Sequence, residues 1–413
     1  MVRSSPGTSY ARASVLDRMH AGARSTGVIG PIALPTAEVA AQRLRVFAEL
    51  GPASRIALRP DPSASRWGHH PDDLLAAVRT LPAPTAPEDL FAHADATVPL
   101  RLSIAGDYLL TEHDHGLGDV QLALVAALMA AGGLDGRDQE LLRSVDPRRA
   151  GLITAVARTY GTRPSRAIAT LQQIRVRSTD ASSTSSAATM TRRDVQGDPM
   201  RTRTAFVERD QLAALRASRR SGGPSAKTLM MCGLVRAFRE AGVDLDDRIS
   251  IPVDLRRYLA ASKNPLANMV AAVEFAYLPD EDPAVLHERV AQAVAAGRPV
   301  AAAVRSSLAG RRALAAGPAV DESPAEPPRP AILISGVHDL PLFHRFDWLS
   351  DDQRTLMMRA APYGGTGLTV ITAELSGRLT LTTTFDSGWH DPNVISAALH
   401  AFAADPIAYT GRS

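Results

Sequence analysis

The sequence predicts a mixed α/β (α+β) protein built as two lobes, on three observations. Segments with strand alternation and segments with helical spacing intermingle in both halves of the chain, in similar amounts. A length of 413 residues exceeds the roughly 100–200 residues of one domain. Residues 178–199, STDASSTSSAATMTRRDVQGDP, are rich in Ser, Thr, Ala and Gly, carry no periodicity, and divide the chain near its midpoint. The expected units are a first lobe over 13–177, a flexible linker or crossover over 178–199 and a second lobe over 200–413, after a polar tail at 1–12.

In the first half, residues 36–50 (TAEVAAQRLRVFAEL) carry apolar groups at helical spacing behind Thr36 as N-cap, and Gly51-Pro52 stops the helix. Residues 54–60 read as a short strand. Residues 72–81 read as a helix with Asp72 and Asp73 at its positive end, broken by the Pro82–Pro87 stretch. Val98–Ile104 alternates apolar and polar residues, Ala105-Gly106-Asp107 makes a turn, and Tyr108–Glu112 returns as the second strand of a hairpin. That strand runs into HDHGLGD at 113–119, and Val120–Ala131 follows as a helix apolar on all sides.

The second half opens with a strand at Thr204–Val207 and helices at Asp210–Ala217 and Ser225–Ala241. Strands at Arg248–Val253 and Asn268–Leu278 precede an alanine-rich helix at Pro283–Val304. The proline-rich stretch 317–330 excludes a helix. Strands at Ala331–Ser335, Gly367–Leu375 and Arg378–Phe385 and a helix at Val394–Ala403 complete the chain.

Hydrophobic residues at 45% and charged residues at 22% describe a well-cored globular chain and argue against disorder, a collagen-like fibre or a coiled coil. No apolar run reaches the roughly 18 residues a membrane span needs. The start, MVRSSPGTSYARAS, lacks the apolar core of a secretory signal. The single cysteine, Cys232, excludes intrachain disulfides and a cysteine-based zinc cluster, so a cytoplasmic location is expected. A net charge of +3 is mild, and aromatics at 5% are too sparse for base-stacking platforms, so no nucleic-acid partner is expected. Nearly all cations are arginine, with only Lys227 and Lys263 as lysines. Together with abundant Ala and Pro this reads as a GC-rich coding bias, or as a face for phosphate and carboxylate groups.

The strongest cluster of chemistry-bearing residues is His113-Asp114-His115-Gly116-Leu117-Gly118-Asp119, at a strand-to-helix junction where side chains project from rigid supports. A neutral imidazole, with an ordinary pKa near 6.5, accepts a proton from an alcohol or amine near neutral pH. Gly116 and Gly118 let the backbone bend tightly and bring the ring close to a substrate. Asp119, four residues after His115, is placed to hold the loop through an arginine or to orient the ring. Two other readings stay open. Two His with Asp could bind a metal, although no third His or Cys lies at a ligand spacing nearby, and either histidine could be a satisfied core residue. The sequence has no G-x-S-x-G nucleophile elbow and no G-x-x-x-x-G-K-[ST] phosphate loop. YGGTG at 363–367 reads as a turn, and Cys232 as a core residue.

DHGLGDV at 114–120, following a strand, resembles the HHxxxDG motif of the condensation-domain and coenzyme-A-dependent acyltransferase superfamily, which includes free-standing condensation enzymes, polyketide-associated acyltransferases, wax-ester synthases and chloramphenicol acetyltransferase. Four further segments resemble that group in order and spacing: IPVDLRR at 251–257, NPLANMV at 264–270, ISGV followed by DLP at 334–341, and RLTLTTTFDSGW at 378–389. The likeness spans roughly residues 30–405. Two departures stand within the motif: Asp114 replaces its first histidine, and Val120 its final glycine. Gly336 stands where asparagine is usual.

The resemblance implies two chloramphenicol-acetyltransferase-like lobes arranged as a V-shaped pseudo-dimer around a tunnel, with donor and acceptor meeting at His115. It implies His115 as general base, Asp119 as a structural residue with Arg256 as its guessed partner, Asp114 and Gly118 as supporting residues, and Ser335 and Trp389 as substrate-positioning; His113 joins the supporting residues by its place in the cluster alone. No family role transfers to His113. The implied reaction forms an ester or amide from a thioester of coenzyme A, or of phosphopantetheine on an acidic carrier protein, with a small alcohol or amine as acceptor. No tightly bound cofactor and no metal are implied, and natural-product biosynthesis is the implied setting. Arg192, Arg193, Arg219 and Arg220 are candidates for a carrier-binding face. Backbone N–H groups of the glycine-rich loop are candidate oxyanion donors. The alternatives are a non-catalytic docking module of the same fold, or the same scaffold catalysing another step such as cyclisation or epimerisation.

Overall fold

A computed structural model describes residues 9–95, 97–138, 141–142, 151–161, 163, 165–170, 192–193, 195, 198–218, 223–260, 264–316, 329–337 and 340–410. The first half of the chain runs β1 (Tyr10–Arg12), α1 (Val15–His20), β2 (Arg24–Gly30), α2 (Ala37–Ala48), β3 (Arg66–Gly68), β4 (Val78–Leu81), β5 (Leu100–Ala105), β6 (Tyr108–Asp114), α3 (Val120–Ala131) and α4 (Gly151–Val156). The second runs β7 (Met200–Val207), α5 (Arg209–Ala217), α6 (Ala226–Glu240), β8 (Arg248–Asp254), β9 (Val270–Ala276), α7 (Pro283–Ala296), α8 (Arg298–Ala316), β10 (Ile332–Val337), β11 (Thr355–Arg359), β12 (Leu368–Leu375), β13 (Arg378–Asp386) and α9 (Pro392–Ala404). Most of the expected linker at 178–199 and of the proline-rich stretch 317–330 lies outside the described residues, as do Arg219, Arg220, Lys263 and Asp339.

Two mixed sheets carry the fold. One has the order β7-β13-β12-β10-β8-β9, the other β11-β2-β6-β5-β4. The five-stranded sheet is built from the first half of the chain except at one edge. There β11, from late in the second half, pairs antiparallel with β2 from Thr355↔Gly30 to Arg359↔Thr26. Each sheet buries one face against helices. Leu44 and Phe47 of α2 and Leu122, Leu124 and Leu128 of α3 pack with Ile29, Leu102 and Leu109. Met231, Leu234 and Phe238 of α6 and Ile395, Leu399 and Phe402 of α9 pack with Ile249, Ile251, Leu381 and Phe385. α3 is buried continuously from Leu122 to Ala130, as its all-round apolar sequence requires.

The structure departs from the sequence reading at several elements. Residues 54–60 form no strand: a 3-10 turn at Pro52–Ser54 ends on Arg55, whose φ of 67° is left-handed, and only Leu58 bridges a neighbour, His69. The expected helix at 72–81 is a 3-10 turn over Pro71–Ala76 followed by β4, because β4 finds a parallel partner in β5 (Val78↔Leu102) that satisfies its backbone. The long helix from Pro283 is two helices, α7 and α8. They are broken at Gly297, which takes a left-handed φ of 83°, and the second runs on to Ala316. β2 and β11, both central to the architecture, were not foreseen.

Candidate active site

The sheets deliver their ends to one place. β6 ends at Asp114 and hands the chain to a tight loop that starts α3 at Val120. β8 ends at Asp254, followed by Arg256 on a short 3-10 turn, and β9 starts at Val270 just after Asn268 and Met269. The loop from the first sheet and these segments of the second are joined by a buried ion pair. Arg256 donates from Nη1 to Asp119 Oδ2 at 2.8 Å and from Nη2 to Asp119 Oδ1 at 3.1 Å, with side-chain exposures of 7% and 5%. Such a fork-to-fork pair fixes orientation as well as distance. Arg256 also donates to the Pro265 and Ala267 carbonyls. Asp119 in turn caps α3 by accepting from Gln121 N at 3.1 Å, and accepts from Met269 N at 3.2 Å.

A second arginine holds the loop from the other side. Arg55 is buried, donates to the Leu117 and Gly116 carbonyls, and pairs with buried Asp17 at 2.9 Å. Its left-handed backbone is uncommon for a residue with a side chain. Asp17 Oδ1 also accepts from Asn268, and Asn268 Nδ2 donates to the His115 carbonyl at 2.7 Å. Sequence reading missed Arg55, Asp17 and this use of Asn268. Only the Ser14-x-x-Asp17 capping box was a local signal for any of them.

Asp114, the departure from the motif, builds the turn. Its Oδ1 accepts from Gly116 N at 2.8 Å and its Oδ2 from Gly22 N at 2.9 Å. Gly118 is required by close approach, since a β-carbon there would stand 2.2 Å from the Leu266 carbonyl oxygen. The loop's first amides are spoken for: His115 N donates to Ala23 O, Gly116 N to Asp114, and Leu117 N to the Asp114 carbonyl. These three amides are thus engaged within the protein.

His115 itself is partly exposed, and its Nδ1 lies 3.0 Å from the Gly118 carbonyl. A carbonyl only accepts, so the proton of the neutral ring sits on Nδ1 and the lone pair on Nε2. Nε2 forms no hydrogen bond among the described residues, which leaves its lone pair without a protein donor. Two more imidazoles flank the ring. His20, at the end of α1, lies with its ring centroid 4.6 Å away and tilted by 33°, and His113 stands edge-on at 6.4 Å. Burial, then the neighbouring His115, hold His20 at a pKa of about 4 and His113 at about 3. His113 is 1% exposed, and its ring nitrogens lack a hydrogen bond; the Gly118 backbone and, after it, the Asp119 carboxylate favour the charged form but do not offset burial.

Ser335 sits on β10 opposite Ile371 of β12, and Trp389 in the turn after β13; neither hydrogen-bonds to the His115 loop. Arg192 pairs with Asp386 at 3.3 Å and Arg193 with Asp391 at 3.5 Å. Among the described residues no group of three His, Cys, Asp or Glu is arranged to hold a metal ion, and no helix is long and apolar enough to cross a membrane.

No protein-family model matches the sequence, and no curated protein matches it. Solved structures do. The TRI3 trichothecene 15-O-acetyltransferase from Fusarium sporotrichioides superposes with a TM-score of 0.55 at 12% identity, covering 97% of each chain. F. graminearum TRI101, solved with coenzyme A and T-2 mycotoxin, gives 0.55 at 10% identity over 92% of this chain and 95% of that one. The nonribosomal peptide synthetase FmoA3 gives 0.56 at 16% identity over 98% of this chain, which spans 42% of the synthetase. The chain thus has the mixed α/β, chloramphenicol-acetyltransferase-like fold shared by condensation domains and coenzyme-A-dependent acyltransferases.

Proposed function

We propose that the protein is an acyltransferase of condensation type, joining a thioester donor to an alcohol or amine acceptor with His115 as general base. The observation that carries this reading is the locked tautomer of His115: the Gly118 carbonyl holds the proton on Nδ1 and leaves Nε2 as an unoccupied acceptor on a partly exposed ring. Two buried arginines, one from each half of the chain, fix the loop that carries it. The fold it shares with a coenzyme-A-complexed acyltransferase supports coenzyme A, or the equivalent phosphopantetheine arm of a carrier protein, as the donor's thiol.

In the reaction the acceptor's oxygen or nitrogen attacks the thioester carbonyl while its proton passes to Nε2 of His115. The tetrahedral intermediate collapses with cleavage of the C–S bond, and the departing thiolate takes the proton back from His115. The ring returns neutral, and the products are an ester or amide and a free thiol. A thioester is already activated, so no covalent enzyme intermediate is needed; alignment and one proton transfer suffice.

The test is incubation with a panel of acyl-coenzyme A donors and small alcohols and amines, with products read by mass spectrometry. At least one pair gives a new ester or amide, and His115→Ala lowers its formation by about 10²- to 10⁴-fold while the variant keeps its circular dichroism and melting profile. Turnover by His115→Ala at the wild-type rate, or the absence of any product from coenzyme A and carrier-bound donors alike, overturns the proposal.

A further inference from the structure

We propose that His20 is a positioning residue for His115: its imidazole packs on the face of the His115 ring and holds that ring in the plane where Nδ1 meets the Gly118 carbonyl and Nε2 points to the substrate. The inference rests on the reading of His115 as the base.

The contact is built by backbone rather than by two side chains that happen to meet. His20 closes α1, whose start is fixed by the reciprocal hydrogen bonds of Ser14 and Asp17. Asp17 is then tied to Arg55, the same arginine that holds the Gly116 and Leu117 carbonyls. Beyond His20 the chain turns, with Ala23 N donating to the His20 carbonyl at 3.1 Å. That turn is fastened to the catalytic loop twice, by Gly22 N to Asp114 Oδ2 at 2.9 Å and by His115 N to the Ala23 carbonyl at 2.7 Å. Hydrogen bonds on both flanks therefore set His20 against His115, although 95 positions separate them in the sequence.

The geometry fits a steric and orienting role. A centroid separation of 4.6 Å with a 33° tilt is contact distance for two aromatic rings. His113 closes the edge of the same ring at 6.4 Å and 81°. With one face and one edge covered, a flip of His115 that would exchange Nδ1 for carbon at the Gly118 carbonyl is hindered. Burial, followed by the charge His115 would carry, lowers the His20 pKa to about 4 against the pull of Asp17, so His20 stays neutral while its neighbour is protonated and does not compete for the substrate proton.

The test compares His20→Ala, which removes the ring, with His20→Phe, which keeps a flat aromatic face without nitrogens. Two readouts are used: kcat and KM with a productive donor–acceptor pair, and ¹⁵N NMR of the His115 ring. In the wild type the NMR shows His115 as the Nδ1–H tautomer. His20→Ala lowers kcat by about 10- to 100-fold with KM changed by less than about twofold, the mark of lost alignment rather than lost binding. In that variant the His115 tautomers mix. His20→Phe restores kcat to within about threefold of wild type, together with the single tautomer. An unchanged kcat and tautomer in His20→Ala overturn the proposal, as does a His20→Phe variant as impaired as His20→Ala, because the nitrogens rather than the ring face would then matter. If the wild type acylates nothing, the functional reading fails on its own, and the NMR comparison still decides the role of His20.

Discussion

The buried pair Arg256–Asp119 joins the two halves of the molecule and underpins the loop that presents His115, so cutting it has a magnitude that can be worked from the contacts. Arg256→Met keeps most of the side-chain volume but leaves the Asp119 carboxylate buried with two backbone donors, Gln121 N and Met269 N, and leaves the Pro265 and Ala267 carbonyls without their guanidinium. Removing one member of a buried ion pair costs about 3–5 kcal/mol. With an unfolding entropy of roughly 2.1 cal/mol/K per residue over 413 residues, that is a fall in Tm of roughly 4–6 °C. Asp119→Asn strands Arg256 in the same way, less severely because three carbonyl contacts and Asp254 at 3.3 Å remain. The double variant has no uncompensated charge. Its loss falls short of the sum of the two single losses by about 2–3 kcal/mol, while turnover stays about 10²-fold down because the loop has lost its clamp. Urea melts of the four proteins close the cycle. Single losses that add to the double loss within about 0.5 kcal/mol, or an Arg256→Met variant at wild-type stability, would refute the reasoning.

Two further outcomes follow from the same site. Gly118→Ala drives a β-carbon into the Leu266 carbonyl, a backbone atom that cannot rotate away, so stability falls by about 1–3 kcal/mol in urea melts and turnover falls with it. A wild-type melt would show that the two segments are not in contact. His113→Phe removes two buried ring nitrogens that lack hydrogen bonds and raises stability at pH 7 by about 1–2 kcal/mol. It also flattens the acid limb. In the wild type an unfolded histidine gains its proton as pH drops below about 6.5, whereas folded His113 resists down to about 3, so stability present above pH 6.5 is lost progressively as pH falls toward 3. His20, held at about 4, adds to the same loss over a narrower window and keeps its share in the variant. Urea melts at pH 7 and pH 4.5 read both effects, and an unchanged pH slope would contradict the assignment.

What could be read from the sequence was what is local along it. α3 announces itself by an unbroken apolar run, and the β5–β6 hairpin by alternation around Ala105-Gly106-Asp107. The His115–Asp119 spacing lies within one loop. β4 and β11 are decided by partners elsewhere: Val78–Leu81 has helix-like company in sequence and becomes a strand only because β5 lies beside it. Thr355–Arg359 is five residues long, with two methionines, and its role comes from the free edge of β2. The same holds in the site. His20, Arg55 and Asp17 act on a loop 60 to 100 residues away, and Asn268 reaches His115 across 153. No periodicity or motif records such meetings; only the closure of the fold brings them about.

The borrowed edge strand has a consequence for how the molecule is made. Until β11 emerges, β2 offers an open ladder over the five residues TGVIG, 26–30, that β11 later pairs. More than 200 residues separate α3 from β11, which at ribosomal speed is a wait of roughly 10–40 s. During that wait the exposed edge is a template for any extended segment nearby, including the same strand on a neighbouring nascent copy. A truncation that stops short of residue 355 would keep that template permanently bare, so such fragments should sediment as aggregates even though they contain the whole His115 loop.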